Sequence, residues 1–572
     1  MNFSVWAPLA TKSVELVCAD QRFAMRADGD GYWRVQCDPA RIAAGYRYSV
    51  DGAPPVPDPR SAWQPDGVHG ASYVVDQDAL RAITRTDFQQ QPLARAIIYE
   101  LHIGTFTPEG TYAGATQKLA HLVALGVTHV EVMPLASFPG QHGWGYDGVY
   151  LFAPQPSYGT PEDLARFVAD CHAHGLAVLL DVVYNHLGPD GNYLNYYAPY
   201  FTNLVKTAWG DAINYDGPYS DGVRQFVLDN ALMWLDVYGF DGLRLDAVGA
   251  IYSFEAVHLL EELASAVHGF AEANNRQIVL VAESDLNDPR LVHPPERGGF
   301  GLDAHWADDF HHALHSAMTG EKVGYYMDFN GIEDVAMALR DGYVYQGQYS
   351  RHRKRRHGRQ PFEVRPDQLI VNSQNHDQIG NRAKGERLSM LLTPIQLKAV
   401  SAMTILSPFV PLLFQGEEWG ASTAFFYFTD HQNQELGRLV AEGRRQEFAT
   451  FGWANEVPNP QLPETFAASR LDWDELKRTP HKELLAWYRR IIALRAADRY
   501  PLQLPVNVGY DAEAGWLWFV RGDLCVAVNF AARSATIALP QGNWDLLLSS
   551  VSEGATAATL AAYEARIYRR QA

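Results

Sequence analysis

An α/β architecture, a (β/α)8 TIM barrel flanked by an N-terminal and a C-terminal β-sandwich, is the fold class this 572-residue sequence predicts. Three observations predict it. Short alternating apolar runs separated by turns open the chain and close it. Between them the rhythm changes to strand, helix, strand, until eight strand-like segments have passed. A doubly wound sheet, the structural alternative, calls for a Gly-x-Gly-x-x-Gly loop after its first strand, and none follows "AIIYELHIGTF".

The elements follow in order. "FSVWAP", "SVELVC", "GYWRVQ" and "GYRYSVDG" form the first sandwich, to about Asp76. The Pro-rich "APPVPDPRSAWQP" leaves it, a linker follows near 81–92, and residues 1–90 are assigned to this domain. Residues 91–498 hold the barrel. After the first strand, "TYAGATQKLAHLVALG" is a helix closed by Gly126. "VTHVEVMPL" is the second strand. The helix "TPEDLARFVADCHAHG" has Thr160 as N-cap, Pro161 at its first position and Gly175 at its end. "LAVLLDVVYNH" is the third strand, followed by a short lobe at about 187–220, "LGPDGNYLNYYAPYFT". The helix "DGVRQFVLDNALMWLDVYG" leads to the fourth strand, "FDGLRLDAV". "QIVLVAES", "LDAHWADD", "LIVNSQNHD" and "PLLFQGEE" complete the eight. After the helical "HKELLAWYRRIIALRAA", residues 499–572 carry "GWLWFV", "LCVAVNF" and "ATIALP", a second sandwich.

Composition narrows the function. Lys and Arg number 47 against 66 Asp and Glu, a net charge of −19. That excess disfavours nucleic acid or an anionic membrane and fits a neutral ligand. Aromatic residues, 12% of the chain, suit sugar faces. Cys18, Cys37, Cys171 and Cys525 are scattered without metal-ligand spacing and read as free thiols in a reducing compartment. No signal peptide and no bilayer-length apolar run is evident, so a cytoplasmic location is expected. The basic run "RHRKRRHGR" at 351–359 is expected to be a solvated loop.

Arg244 and Asp246 interrupt the buried "GFDGLRLDAV" two residues apart, so both aim into one interior. In isolation that is a buried salt bridge. The other strand ends decide otherwise, because the C-terminal ends form one rim. The third strand ends in Asp181, Asn185 and His186, the fifth in Glu283, and the sixth in Trp306, Asp308 and Asp309. The seventh ends in His376 and Asp377, the eighth in Glu417 and Glu418. Three carboxylates without a metal-ligand cluster suit glycoside hydrolysis, in which a retaining enzyme uses one nucleophile and one proton donor about 5–5.5 Å apart. Arg244 is expected to keep Asp246 ionised, and the apolar "IVLVA" before Glu283 to keep that acid protonated. Asp377 would steady the substrate and its developing positive charge. The lobe holds no calcium-type cluster, and neither metal nor cofactor is expected.

"DVVYNH", "GLRLDAV", "AES" and "QNHDQ" resemble, in order, the four signature regions of the α-amylase family, glycoside hydrolase family 13. The resemblance implies Asp246 as nucleophile, Glu283 as general acid/base and Asp377 as transition-state stabiliser. It places Tyr146, Asp147, His186, Arg244 and His376 around the glucose on the non-reducing side. It also implies a carbohydrate-binding, early-set character for the first sandwich. Within the family, stretches such as "GTFTPEGT", "FPGQHGWGYDGVYLFAP" and "HDQIGNRAKGERL" resemble the members that release trehalose from maltooligosyl-trehalose. A maltooligosyltrehalose synthase would then be the pathway partner, and a 1,4-α-glucan branching enzyme is the alternative. The rim at 306–312 and 376–381 is the expected trehalose side, with Trp306, Asp308, Asp309, His311, Gln378 and Asn381 as candidate contacts. Gly249 departs from these members, which often carry His there.

Overall fold

The computed structural model describes residues 1–449, 457–497, 504–551 and 558–571. Eight parallel strands close a barrel in chain order: β1 Ile98–Leu101, β2 His129–Val132, β3 Ala177–Val182, β4 Gly242–Leu245, β5 Val279–Ala282, β6 Ala304–Trp306, β7 Leu369–Asn372 and β8 Val410–Phe414, which pairs back onto β1. Seven lie within a segment read as a strand, and β8 begins at Val410, one residue before the segment read for it. Each is shorter than its segment, because the polar residues that follow curl into the loops of the rim. "HIGTF" forms the helical turn Ile103–Phe106 instead of extending β1.

Local chemistry explains the helices. Pro161–Ala173 starts at Thr160, whose hydroxyl accepts from Asp163 N–H while Asp163 returns the bond, and Pro161 occupies the first turn. Such a cap is worth about 1 kcal/mol. Gly175, at φ +77°, takes the left-handed turn that follows. The helix expected over 111–126 divides into Tyr112–Thr116 and Leu119–Leu125 before Gly126 closes it at φ +100°. Gly114 fits there because a β-carbon would stand 2.4 Å from Thr107 Oγ1. Close packing has overridden helix propensity.

The barrel interior is layered. Ile98, Leu179, Val281, Ala304, Ile370 and Leu412 make an apolar plug. One step towards the strand ends, the inward side chains become polar: register pairs Glu100 with Glu131 and Asp181 with Arg244.

The N-terminal domain contains two three-stranded antiparallel sheets, one of Asn2–Trp6, Tyr32–Gln36 and Arg26–Ala27, the other of Gln21–Ala24, Val14–Cys18 and Arg47–Val50. Trp6 meets Tyr200 of the lobe edge-on at 5.6 Å, and Tyr197 Oη donates to the carbonyls of Val56 and Pro57. The supposed linker begins as the helix Gln77–Thr84, capped by Asp76, and Arg81 Nε reaches Asp236 Oδ2 at 2.8 Å. The lobe itself is the short helix Leu194–Tyr197 followed by the hairpin Phe201–Thr207 and Gly210–Ile213. The basic run contributes the turn and second strand of another hairpin, Gln346–Ser350 with Arg355–Gly358.

At the C-terminal end, Val508–Asp511, Trp516–Arg521, Leu524–Asn529, Ala565–Arg570 and Trp544–Ser549 form a five-stranded sheet, with Ala535–Thr536 and Thr559–Leu560 as a small second sheet. The expected boundary at 498–499 lies outside the described residues. All four cysteines are free and buried. No described helix is long and apolar enough to cross a membrane.

Candidate active site

Arg244 organises the floor of the cleft. It is fully buried on β4, and its Nη1 donates to Asp181 Oδ2 at 2.7 Å and to Asp246 Oδ1 at 2.9 Å. Its Nη2 stands 2.9 Å from Glu283 Oε2, an ion pair too bent to count as a hydrogen bond. Burial works against its charge, yet Asp181 and Glu283 raise its pKa well above the ordinary value. The cation belongs there because three carboxylates surround it.

Asp246 Oδ2 accepts a second hydrogen bond from Asn185 Nδ2 at 2.9 Å. The next residue, Ala247, takes the left-handed conformation at φ +38°, uncommon without glycine. That turn directs its N–H to Glu283 Oε2 at 2.7 Å. Burial pushes the Glu283 carboxyl well above its usual range against the pull of Arg244. Asp377 opens the short helix His376–Gly380, stays partly exposed, and accepts from Asn381 Nδ2 at 3.2 Å.

The surrounding side chains form one network. Tyr146 Oη donates to Asp181 Oδ2 at 2.6 Å and lies 2.8 Å from His376 Nε2. The other ring nitrogen of His376 meets Glu100 Oε1, and its backbone N–H donates to Glu100 Oε2 at 3.1 Å. His186 binds Tyr146 O through Nε2 at 3.0 Å and stacks on Trp209 at 4.2 Å. Asp147 faces His431 at 4.0 Å, and burial raises its pKa. Tyr146, Asp147, His186, Trp209, His376 and His431 line a cavity of about 550 Å³ with Asp246, Glu283, Asp377 and Asn381 on its walls. A hollow of about 580 Å³ at the opposite barrel end contains two ion pairs, Arg81 with Asp236 and Asp241 with His172.

Several predicted contacts lie elsewhere. Trp306 is 1% exposed, with the Arg244 guanidinium 4.2 Å from its ring centre, so it supports the floor from below. Asp309 is buried and accepts from Asn287 Nδ2 at 2.6 Å, Val344 N–H at 2.7 Å and Tyr345 N–H at 2.8 Å. It pins the insertion before β7. His311 is also buried, between Ser373 O at 2.7 Å and Tyr326 Oη at 3.0 Å. Gln378 is 8% exposed, its N–H donating to Asn375 Oδ1. Asp308 is half-buried, and burial, then Asp285 and Asp377, push its carboxyl up to about 7. Glu417 and Glu418 leave the rim altogether. Glu417 accepts from Ser373 Oγ and Tyr488 Oη, and Glu418 meets Tyr99 Oη and His121.

The structure adds Glu100, Trp209, Tyr427 and His431 to the site. Glu100 was legible as a carboxylate at a strand end. The other three come from the lobe and a distant loop, and their residue types carry no such signal. Arg353, from the basic run, bonds Asp285 Oδ2 at 2.7 Å, two residues beyond Glu283. Gly249 has room for a side chain, with Leu286 Cδ1 3.5 Å from a built β-carbon.

A family model described as the alpha amylase catalytic domain matches residues 61–206, and one described as a domain of unknown function, DUF3459, matches 501–567. The chain is 46% identical over 553 residues to a malto-oligosyltrehalose trehalohydrolase of Rhizobium sp., covering 94% of this chain and 92% of that protein. The protein of the same name from Saccharolobus solfataricus is 40% identical, with 99% and 96% covered. A 1,4-alpha-glucan branching enzyme of Rhizobium johnstonii is 28% identical, with only 56% and 50% covered. Among solved structures, a putative alpha amylase from Salmonella typhimurium superposes with a TM-score of 0.92 at 38% identity, covering 100% and 97%.

Proposed function

The chain belongs to the malto-oligosyltrehalose trehalohydrolases, glycosidases of the α-amylase family, and from that premise we propose how its cleft residues divide the work. The reaction hydrolyses the α-1,4-glucosidic bond next to the trehalose unit of maltooligosyl-trehalose and releases trehalose. One observation carries the assignment of roles: a single buried guanidinium bridges Asp246 and Glu283 at the cavity floor.

Glu283, kept protonated by burial, gives its proton to the glycosidic oxygen, and trehalose departs with that oxygen as a hydroxyl. Asp246 Oδ attacks the anomeric carbon from the other face and forms a glycosyl ester. Glu283, now ionised, takes a proton from water, which displaces Asp246 and restores both groups. Asp377 faces the hydroxyls of the ring as positive charge develops on it. Tyr146, Asp147 and His186 surround the glucose on the non-reducing side, and Trp209 extends that wall. Asn381, on the cavity wall, lies towards the leaving trehalose. The substrate is a neutral sugar, which suits a chain of net charge −19. We assign its supply to a maltooligosyltrehalose synthase and its location to the cytoplasm, supported by four unpaired cysteines.

The test is to incubate the enzyme separately with maltotriosyl-trehalose, maltopentaose and amylose and to resolve the products. Free trehalose and maltotriose from the first, with slower turnover of the second, are expected. A preference of about 10–100-fold in kcat/KM needs only ~1.4–2.7 kcal/mol of extra transition-state binding. New α-1,6 branches in amylose, with no trehalose released, would replace this reading with the branching enzyme.

A further inference from the structure

Directly beneath the catalytic floor, one layer of the barrel interior is polar where the layer below it is apolar. Two residues beyond the apolar plug, Asp181 (β3), Trp306 (β6) and Asn372 (β7) point inward, joined by Glu131 of β2 and Arg244 of β4. All five are at most 2% exposed. Both carboxyl oxygens of Glu131, both amide atoms of Asn372, Trp306 Nε1, Asp181 Oδ1 and Arg244 Nε are buried without a hydrogen-bond partner among the described residues.

Left alone, each of these atoms carries a desolvation penalty that nothing recovers. The set contains donors on Trp306, Asn372 and Arg244, and acceptors on Glu131, Asn372 and Asp181. Such a mixture, drawn from five strands around one interior, is what buried water resolves, with two to four hydrogen bonds apiece.

We propose that this layer is an internal water-binding site, and that Glu131 is a positioning residue acting through that water on Asp181 and Arg244. Asp181 grips Arg244 and Tyr146 with one oxygen and leaves the other facing the layer. Water held by Glu131 would fix that second oxygen, and with it the guanidinium that bridges Asp246 and Glu283. Burial, then Glu100, pushes the Glu131 carboxyl well above its ordinary range, against Arg244 and His376. A neutral Glu131 adds a donor to a layer rich in acceptors. The described residues include no group of three or more His, Cys, Asp or Glu side chains that could hold a metal ion. The proposal rests on the roles given above to Asp246 and Glu283, whereas density in the layer is read without any substrate.

The experiment joins a high-resolution crystal structure of the full chain to kinetics of Glu131→Gln and Glu131→Leu on maltotriosyl-trehalose. Ordered water within hydrogen-bond distance of Glu131 and Asn372 is expected. Glu131→Gln, which keeps shape and hydrogen bonding, should retain kcat within about 3-fold, whereas Glu131→Leu should lose ~10–100-fold in kcat with KM within about 3-fold. Should the leucine variant fail to fold, Asn372→Leu tests the site from another strand with the same expectation. A dry layer, or a leucine variant with wild-type turnover, overturns the proposal. A glutamine variant as slow as the leucine one shows that an anion is required and overturns it too. A crystal soaked in rubidium chloride should show no anomalous peak in the layer; a peak there makes this a monovalent cation site instead.

Discussion

Arg244 is assigned no bond making, yet both carboxylates proposed to react are held by it, since one guanidinium reaches Asp246, Glu283 and Asp181 together. Removing either reacting group while keeping its shape isolates the chemistry. Asp246→Asn and Glu283→Gln are each expected to lower kcat by at least ~10²–10⁴-fold with an unchanged circular dichroism spectrum. Near-wild-type turnover in either variant would falsify its assignment. His376 offers a second measurement. Burial opposes its charge, but Glu100 and Asp377 prevail and raise its pKa from 6.5 to about 9. A raised folded-state pKa means that the ion pair contributes stability fully below about pH 6.5 and loses it as pH rises through about 9. The contribution is on the order of 3 kcal/mol. Urea unfolding of wild type and Glu100→Gln across that window should show a decline only in the wild type. Parallel declines would remove the Glu100–His376 pair as the cause.

Among the elements, Asp309 shows why a polar residue at a strand end need not touch substrate. Three donors converge on its Oδ2, two of them backbone N–H groups of the insertion at 344–345. Asp309→Ala strands those donors, each at about 1–3 kcal/mol, so a loss of ~3–9 kcal/mol is expected. Protein still folded at low temperature should keep its KM, and a large KM increase without destabilisation would return Asp309 to the cleft. Trp209 behaves oppositely. It sits half-exposed in the lobe hairpin turn, stacked on His186. Trp209→Ala is expected to leave the melting temperature unchanged and to lower kcat/KM by ~2–13-fold, the size of an aromatic stacking contact. A drop in melting temperature with unchanged kinetics would make the tryptophan a structural prop.

For the whole molecule, a double displacement retains configuration, so the new reducing end should appear first as the α-anomer in proton NMR, before mutarotation. Early β-anomer would mean inversion and exclude Asp246 as nucleophile. The order of the eight strands, the Thr160 cap and the carboxylates at positions 246, 283 and 377 were all legible in the sequence. Each depends on neighbours a few residues away: apolar runs set the strands, a hydroxyl and a proline start the helix, and paired polar residues mark the strand ends. The partial burial of Glu283 was legible too, because an apolar run precedes it. Direction was not legible. Trp306, Asp309, Glu417 and Glu418 share the strand-end signal with Glu283 yet point under or behind the rim. Which way each faces is set by strand tilt, by loop length and by partners far along the chain, such as Tyr345 for Asp309 and Tyr488 for Glu417. The same holds for Trp209 and His431, brought to the cleft by a hairpin and a distant loop. The sequence by itself determined the barrel and singled out the acids proposed to react, because those rest on local periodicity and residue chemistry. Only the tertiary structure decided which polar side chains share one cavity, because that is a matter of long-range packing, which no spacing along the chain encodes.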